Sequence, residues 1–270
     1  MTREAELVSP TERPVDGPTV DVVIPVLNEA HVLADSVSTV RSFLHQNMPY
    51  PCQVLIVDNG STDGTDRVGL DLERQYPDVQ YLQLAQRGRG RALRYAWTHS
   101  TADVVCYTDV DLSTELVALP VIVDAILRDG YDLGTGSRLM KASRTVRSYK
   151  REIISRIYNL LIKVVLWTSF SDAQCGFKAV SRRVVDEIIP QIRDESWFFD
   201  TELLVLAEKR GYRIKDLPVR WIEDDDSRVH ITATAWQDIK GVFRLRWMFF
   251  LEAMGYRSRG KLGEPRRIVP

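Results

Sequence analysis

The chain has 270 residues, 44% of them hydrophobic, and its 36 basic and 37 acidic side chains leave a formal net charge of −1. This composition is typical of a globular protein with a sizeable core, and it argues against nucleic-acid binding, which requires a basic face. The three cysteines, Cys52, Cys106 and Cys175, lack the spacing of a metal site, so we expect reduced thiols in a cytoplasmic protein.

Short apolar strands alternate with helical segments along the first half of the chain. The predicted strands are VDVVIP (20–25), CQVLIVD (52–58), VQYLQL (79–84), DVVCYTD (103–109) and YDLGTGSR (131–138). This alternation predicts βαβ units, and hence an α/β fold with a mostly parallel sheet. Because such crossovers are right-handed, the loops after the strands collect at one edge of the sheet, where we expect the functional site.

The second half of the chain has a less regular pattern. It predicts a basic helical stretch over 144–167, a helix around DTELLVLAEKRG, a strand YRIKDLPVRW, an acidic loop and a last helix. We expect no signal peptide and no membrane-spanning helix, because the longest apolar stretch, IYNLLIKVVLW, is shorter than the roughly 20 residues that cross a bilayer. The predicted organisation is a flexible segment over 1–18, one domain over 19–235, and an amphipathic helix with a basic tail over 236–270.

Two aspartates, Asp109 and Asp111, follow the apolar run of the fourth predicted strand. Residues i and i+2 of a strand face the same side, so both carboxylates would enter one space and repel each other. A hard divalent cation such as Mg²⁺ or Mn²⁺ would relieve the repulsion, since it takes carboxylate oxygens and substrate phosphates as ligands. The alternative is a solvated turn, in which aspartate is common. The polar motifs at the other strand ends favour the metal site.

Two further motifs lie after predicted strands, VDNGSTDGT (57–65) and RGRGRAL (87–93). Asp58 ends a buried strand and can contact a base or a ribose, and Ser61 or Thr62 would cap the following helix. RGRGRAL matches neither the Rossmann nor the P-loop pattern. Its arginines near a helix N-terminus suit a diphosphate, but an exposed basic loop is equally consistent with this segment.

Seven motifs, taken in order, resemble those of family-2 glycosyltransferases with the GT-A fold. They are VVIPVLNE, LIVDNGSTDGT, RGRGRAL, YTDVDLS, GSR, DAQCGFK and FFDTE, and the resemblance covers roughly residues 20 to 230. The chain resembles the polyprenyl-phosphate branch, the dolichyl-phosphate glucosyl- and mannosyltransferases, and DAQCGFK resembles the glucosyl enzymes more. The resemblance implies a Rossmann-like nucleotide-binding α/β/α sandwich with a mostly parallel central sheet. It also implies inverting transfer of a hexose from a nucleotide diphosphate sugar, with UDP-glucose favoured over GDP-mannose.

The resemblance implies roles for individual residues. Asp109 and Asp111 would hold Mg²⁺ or Mn²⁺ and the donor diphosphate, so that Asp111 takes part in catalysis. Arg138 would face the acceptor phosphate or the donor diphosphate, and Asp200 would lie near the reacting carbon. The nucleotide would be bound by Pro25, Asn28, Glu29, Asp58, Asn59, Arg91, Asp109, Val110 and Arg228.

The loop around Arg228 and the position of Ser113 affect the expected metal site. Ser227 and Arg228 would close over the diphosphate. Ser113 stands where mannosyl relatives often carry glutamine as a further metal ligand. The acidic run 223–226 or His230 could supply that ligand, but a solvated acidic loop and an exposed histidine are the simpler interpretation.

The stretch from 138 to 163 bears on the acceptor, because it holds eight Lys or Arg and one acid, Glu152, with apolar residues between them. Such a pattern is typical of a helix on a membrane surface, although a core-packed helix with a solvated cationic face gives it too. We expect a polyprenyl-phosphate acceptor and a peripheral position at the cytoplasmic face of a membrane. A lipid phosphate is already anionic and needs no base. The alternatives are a hydroxyl acceptor with Asp200 as base and a non-catalytic nucleotide-sugar-binding protein.

Overall fold

The computed structural model describes residues 17–222 and 231–256. Its strands are β1 (Val20–Val26), β2 (Cys52–Asp58), β3 (Val79–Gln83), β4 (Val104–Thr108), β5 (Leu133–Ser137), β6 (Arg144–Val146), β7 (Phe177–Ser181), β8 (Ile214–Pro218) and β9 (Arg220–Ile222). Its helices are α1 (Leu33–Asn47), α2 (Thr65–Gln75), α3 (Arg89–His99), α4 (Ala118–Leu127), α5 (Tyr149–Leu166), α6 (Arg182–Glu187), α7 (Phe199–Lys209) and α8 (Ile231–Ala253).

A mixed sheet organises the described residues, with the strand order β3-β2-β1-β4-β7-β5-β8. Its neighbouring strands are parallel except at β7, which runs antiparallel to β4 and to β5. The prediction of a mostly parallel sheet is therefore confirmed. Since β1, β2 and β4 are parallel neighbours, the loops that follow them meet at one edge of the sheet.

Alternating side chains of β1 enter two cores on opposite faces of the sheet. Val22 and Ile24 pack in the same core as Ile122 of α4, whereas Val23 packs in the core that contains Trp97 of α3. Both faces of the sheet are thus covered by helices, which explains why its strands are near-continuous apolar runs. The architecture is the expected α/β/α sandwich.

Three segments of the second half differ from their predictions. The stretch 144–167 is not one helix, because it begins with β6 and α5 starts at Tyr149. The predicted strand YRIKDLPVRW is two strands, and β8 ends at Pro218, which has no N–H to continue a ladder. FKAVS, for which the pattern predicts no strand, forms β7.

The last helix, α8, packs against α5. It begins before the predicted boundary at 235, and its Val242 and Leu245 are fully buried in the core. Among the described helices, none has the length and apolar character needed to cross a bilayer. Several predicted features lie outside the described residues, namely the segment 1–16, the acidic run 223–226, Ser227, Arg228, His230 and the basic tail after 256.

Candidate active site

Asp109 and Asp111 lie in the turn that follows β4. The strand ends at Thr108, so strand alternation does not extend to these two residues, and the prediction that both carboxylates enter one space rests on the turn instead. The turn has a specific backbone shape, because Leu112 adopts a φ of 50°, a left-handed conformation rare for leucine, and Ser113 N donates to Asp111 Oδ1 over 2.9 Å. Asp111 is exposed and Asp109 is half-buried.

Asp109 is held in a charged and partly desolvated environment. Removal from water raises its pKa to about 6; Asp111 and Asp200 add to the rise, and Arg89 opposes it. Arg89 donates from Nη2 to Asp109 Oδ1 over 2.5 Å. Gly176 lies against the other carboxylate oxygen, since a Cβ at that position would come within 1.7 Å of Asp109 Oδ2. The carboxylate therefore requires the absence of a side chain at 176.

The loops after β1 and β2 bind each other through backbone and side-chain groups. Asn28 N donates to Ser61 Oγ over 2.8 Å, and Thr62 N donates to Asn28 Oδ1 over 2.8 Å. Glu29 N donates to Thr65 Oγ1 over 2.9 Å. Asn28 has a φ of 59°, which asparagine tolerates better than most residues. These contacts place two of the expected nucleotide-binding residues, Asn28 and Glu29, beside the loop that begins at Asp58.

Asp58 is fully buried, and both of its oxygens accept hydrogen bonds within the protein. Oδ1 accepts from Ser61 N over 2.8 Å and Oδ2 from Tyr81 OH over 2.7 Å. The next residue, Asn59, accepts at Oδ1 from Gly88 N over 3.1 Å. In this structure Asp58 thus orders its loop, and Asn59 joins that loop to the RGRGRAL segment.

The predicted cap of α2 is wrong. Neither Ser61 nor Thr62 is its N-cap, because the cap position is Gly64 with a φ of 98°. Asp63 instead accepts hydrogen bonds at Oδ1 from Thr65 N and from Thr65 Oγ1. The hydroxyl of Ser61 accepts from Asn28 N, so this side chain joins the loops after β1 and β2 and does not cap the helix.

The arginines of RGRGRAL point to different partners. Arg91, which was expected to bind the nucleotide, pairs with Glu195 and donates to Arg87 O over 3.0 Å. Arg89 is the one that reaches the Asp109 carboxylate. A Cβ at Gly90 would lie 2.6 Å from Phe199 Cβ, so glycine allows α3 to approach the start of α7 closely.

Asp200 lies in the first turn of α7 and is nearly buried. Its Oδ1 accepts from Tyr107 OH over 2.6 Å and lies 3.0 Å from Lys178 Nζ. Lys178 belongs to β7 and is fully buried opposite Tyr107 of β4. The motif resemblance identifies Asp200 but neither partner. A single lysine inside the otherwise apolar FKAV run was the signal for a buried ion pair.

Arg138, at the end of β5, is bound by Asp172. Its Nε and Nη2 donate to the two carboxylate oxygens over 2.7 and 3.0 Å, and its guanidinium lies 5.5 Å from the Trp221 ring centroid. Asp172 is fully buried, and the charge and hydrogen bonds of Arg138 lower its pKa to about 2 against the effect of burial. Arg138 is thus a cation held in place by Asp172, a partner that the sequence analysis did not identify.

Two other residues expected to bind the nucleotide, Pro25 and Val110, have backbone or core contacts in the structure. Pro25 lies in β1 beside Val57 of β2. Val110 separates the two aspartates and packs in the core that also contains Ile24. The expected loop residues Ser227 and Arg228 cannot be located relative to the site because they are outside the described ranges.

The donor groups in the β4 turn fit a divalent cation. Asp109 and Asp111 offer carboxylate oxygens, which Mg²⁺ and Mn²⁺ prefer, and the raised pKa of Asp109 is a cost that a cation would reduce. Within residues 17–222 and 231–256, no three His, Cys, Asp or Glu side chains form a ready-made metal site. A cation held by the two aspartates would therefore need further oxygens from a ligand.

Comparison with known proteins identifies similar sequences. The family model described as "Glycosyl transferase family 2" matches residues 21–189. Glycosyltransferase AglD of Haloferax volcanii is 33% identical over 240 residues, which are 86% of this chain and 38% of AglD. The dolichyl-phosphate beta-glucosyltransferases of Dictyostelium discoideum and Saccharomyces cerevisiae are 26% and 25% identical; the matches cover 89% and 85% of this chain and 77% and 75% of theirs.

Solved structures with the same fold include glucosyl-3-phosphoglycerate synthase from Mycobacterium tuberculosis. Its complex with uridine diphosphate superposes with a TM-score of 0.67 at 18% identity, covering 85% of this chain and 80% of that one. Its complex with Mn²⁺, uridine diphosphate and glucosyl-3-phosphoglycerate gives a TM-score of 0.65 with the same identity and coverage. At this identity the likeness establishes the GT-A fold.

Proposed function

Because the chain belongs to glycosyl transferase family 2, we propose that it transfers glucose from UDP-glucose to the phosphate of a polyprenyl lipid at a membrane surface. The carboxylate pair Asp109 and Asp111 carries this proposal, since it lies where the loops after parallel strands converge. Similarity to two dolichyl-phosphate beta-glucosyltransferases over most of the chain supports glucose as the sugar and dolichyl phosphate or a related lipid as the acceptor.

The donor is proposed to bind along the loops after β1, β2 and β4. The base and ribose contact Pro25, Asn28, Glu29, Asn59 and Val110, with Arg91 and Arg228 near the diphosphate. The fully buried Asp58 supports this site by ordering the loop after β2. Asp109 and Asp111 hold Mg²⁺ or Mn²⁺. The bound cation supplies electrostatic stabilisation of the departing diphosphate.

The transfer itself is a single displacement at the anomeric carbon. A phosphate oxygen of the acceptor forms the new bond to C1, the bond from C1 to the diphosphate oxygen breaks, and UDP leaves with the electron pair. A phosphate monoester has a second pKa of about 6 and is anionic at neutral pH, so no proton has to be removed. Arg138, fixed by Asp172, orients the acceptor phosphate, and Asp200 lies near the reacting carbon.

A set of exposed apolar side chains on α5, on the residue that follows it and on α8 supports a lipid acceptor. We call it the apolar face; its members are 46% to 67% exposed, and they are Ile157, Leu160, Val164, Trp167, Phe243, Trp247 and Phe250. Arg246 of α8 stacks 4.2 Å above the ring of Trp167, which joins the two helices. A core-packed helix with a solvated cationic face would expose polar groups here. Instead, the exposed side of α5 is apolar with lysines and arginines beside it, as in helices that bind anionic membranes.

The buried side of α5 contacts the candidate active site. Tyr158 OH lies 3.0 Å from the hydroxyl of Thr201, next to Asp200. Asn159 Oδ1 accepts from Ala173 N over 2.9 Å, next to Asp172. A membrane bound on the outer side of α5 would therefore lie one helix away from the groups proposed to receive the lipid phosphate.

Release of UDP from UDP-glucose in detergent, with dolichyl phosphate or with dolichol as acceptor, tests this function. We expect metal-dependent release with dolichyl phosphate alone, and slower turnover of GDP-mannose. Equal turnover with dolichol or with a soluble sugar hydroxyl would contradict the phosphate acceptor and make Asp200 the candidate base. Binding of UDP-glucose without turnover on any acceptor would indicate a nucleotide-sugar-binding protein.

A further inference from the structure

Lys178 is a buried charge to which the proposed reaction gives no role. It lies in the middle of β7, paired in register with Tyr107 of β4 and Thr135 of β5, and its side chain is fully buried. Burial of an ammonium group is costly unless the charge is paired and hydrogen-bonded. We therefore expect Lys178 to have an acidic partner inside the protein.

The partner is Asp200, which forms an ion pair with Lys178 and accepts a hydrogen bond from Tyr107. Lys178 Nζ donates to Cys175 O over 2.7 Å and lies 3.0 Å from Asp200 Oδ1. Tyr107 OH donates to the same carboxylate oxygen over 2.6 Å. Both contacts use Oδ1, so together they fix the position of this carboxylate.

The charge of Lys178 also offsets a concentration of negative charge. Asp109 lies close enough to Asp111, Asp200 and Lys178 for all three charges to act on it, and Lys178 is the positive one of the three. Three neighbouring carboxylates repel one another. Lys178, which lies 3.0 Å from Asp200 Oδ1, supplies a positive charge beside one of them.

We propose that Lys178 is a positioning residue for glycosyl transfer, which acts by fixing the ionised Asp200 carboxylate against Tyr107. The proposal rests on the proposed function in that Asp200 is taken to lie at the reacting carbon. Lys178 itself touches no substrate. Its removal is expected to lower the rate of the chemical step and to leave binding of the donor intact.

A double-mutant cycle tests the proposal with Lys178→Met, Asp200→Asn and the double variant, and with Lys215→Met of β8 as a matched control outside the site. The readouts are kcat and KM for UDP-glucose with dolichyl phosphate, and the urea midpoint. A misplacement of about 1 Å at the reacting centre costs on the order of 100-fold in rate. Because Asp200 is taken to lie beside the reacting carbon, we expect Lys178→Met to lower kcat about 100-fold at nearly constant KM. In the Asp200→Asn background the same change should have little further effect.

Two outcomes of the kinetic cycle would overturn the proposal. An equal loss of kcat from Lys178→Met in both backgrounds would indicate a structural role only and overturn the proposal, as would an unchanged kcat. If Lys178→Met does not fold, Lys178→Gln, which keeps a donor without the charge, takes its place in the cycle.

The urea midpoints need no substrate and separate this proposal from the proposed function. We expect Lys178→Met to lower the midpoint strongly in the wild-type background, because it leaves the buried Asp200 carboxylate without its cation. The same change should lower the midpoint only weakly in the Asp200→Asn background, where there is no carboxylate to leave unpaired. A wild-type protein without transfer would contradict the proposed function. Equal shifts of the midpoint in both backgrounds would contradict the Lys178–Asp200 coupling itself.

Discussion

Arg89 Nη2 donates a 2.5 Å hydrogen bond to Asp109 Oδ1 and ties the first residue of α3 to the turn after β4. Asp111, two positions along, is exposed and accepts from the backbone of its own turn at Ser113. The two aspartates of the motif are therefore not equivalent. Asp109 is part of an ion pair with Arg89, whereas we expect the exposed Asp111 to be replaceable with little effect on the fold.

Asp111→Asn is expected to abolish transfer, because it removes one of the two charges proposed to hold the metal ion. We expect a loss of at least about 100-fold in kcat, the size of effect seen when one electrostatic stabiliser of a transition state is removed. The free energy of unfolding should change by less than about 0.5 kcal/mol, as for other surface substitutions. Steady-state kinetics at saturating Mn²⁺ and urea titration measure both. Asp71→Asn, an exposed aspartate on α2, is the control, and unchanged turnover in Asp111→Asn would refute the metal site.

Gly176→Ala is expected to displace Asp109 from the β4 turn. The added Cβ would lie 1.7 Å from Asp109 Oδ2, and the carboxylate has to move. We expect the affinity for UDP with Mn²⁺ to fall by about tenfold or more, which corresponds to about 1.4 kcal/mol, in isothermal titration calorimetry. Gly211→Ala is the control, because its φ of 84° makes alanine strained at a place with no neighbour within 4 Å. Loss of UDP affinity in both variants would show that reduced stability, not Asp109, is responsible.

The sequence predicts the position of the turn after β4, but it does not predict the ion pairs around the candidate active site. The apolar run that ends at Thr108 and the aspartates after it are local features, and so are the strand ends near Asn28 and Asp58. The pairs Lys178–Asp200 and Arg138–Asp172 join residues far apart in sequence. They form because β7 enters the sheet antiparallel between β4 and β5, and no local periodicity specifies that arrangement.

Local propensity also fails to predict the structure where a contact with a distant segment replaces the expected local hydrogen bond. Ser61 is a good helix cap by residue type, yet its hydroxyl accepts from Asn28 N across the two loops. The basic stretch 144–167 has the pattern of one helix, but its first residues pair as β6 with β9. In both cases contacts between distant segments decide the local structure.

Leu160→Glu on the apolar face is expected to weaken membrane binding. Burial of a leucine side chain is worth about 1.5–3 kcal/mol, and a carboxylate would also be repelled by anionic lipid, so co-sedimentation with phosphatidylserine vesicles should fall about tenfold or more. Val121→Glu is the matched control, because this exposed valine belongs to α4 on the opposite layer of the sandwich. Equal binding of Leu160→Glu and wild type at low salt would contradict the membrane role of the apolar face.

Asp238→Asn is expected to stabilise the protein above neutral pH. Burial, together with the charge of Asp194, raises the pKa of Asp238 to about 7. The folded protein therefore keeps a proton that the unfolded chain loses near pH 4, and stability declines as the pH rises from about 4 to about 7. The substitution removes this penalty, so the gain should be on the order of 3 kcal/mol at pH 8 and near zero below pH 4.

Urea titrations of wild type, Asp238→Asn and the surface variant Asp71→Asn between pH 4 and pH 8 measure the effect. The difference between wild type and Asp238→Asn should grow with pH, while that for Asp71→Asn should stay small throughout. A difference that is constant with pH would mean that Asp238 is ionised in the folded protein over the whole range.

Mass spectrometry of the lipid after incubation with UDP-glucose, Mn²⁺ and dolichyl phosphate tests the central claim most directly. The wild type should convert dolichyl phosphate to a species heavier by one hexose, and Asp111→Asn under the same conditions should not. Unmodified dolichyl phosphate in the wild-type reaction, with UDP-glucose consumed on a soluble hydroxyl acceptor instead, would contradict the account.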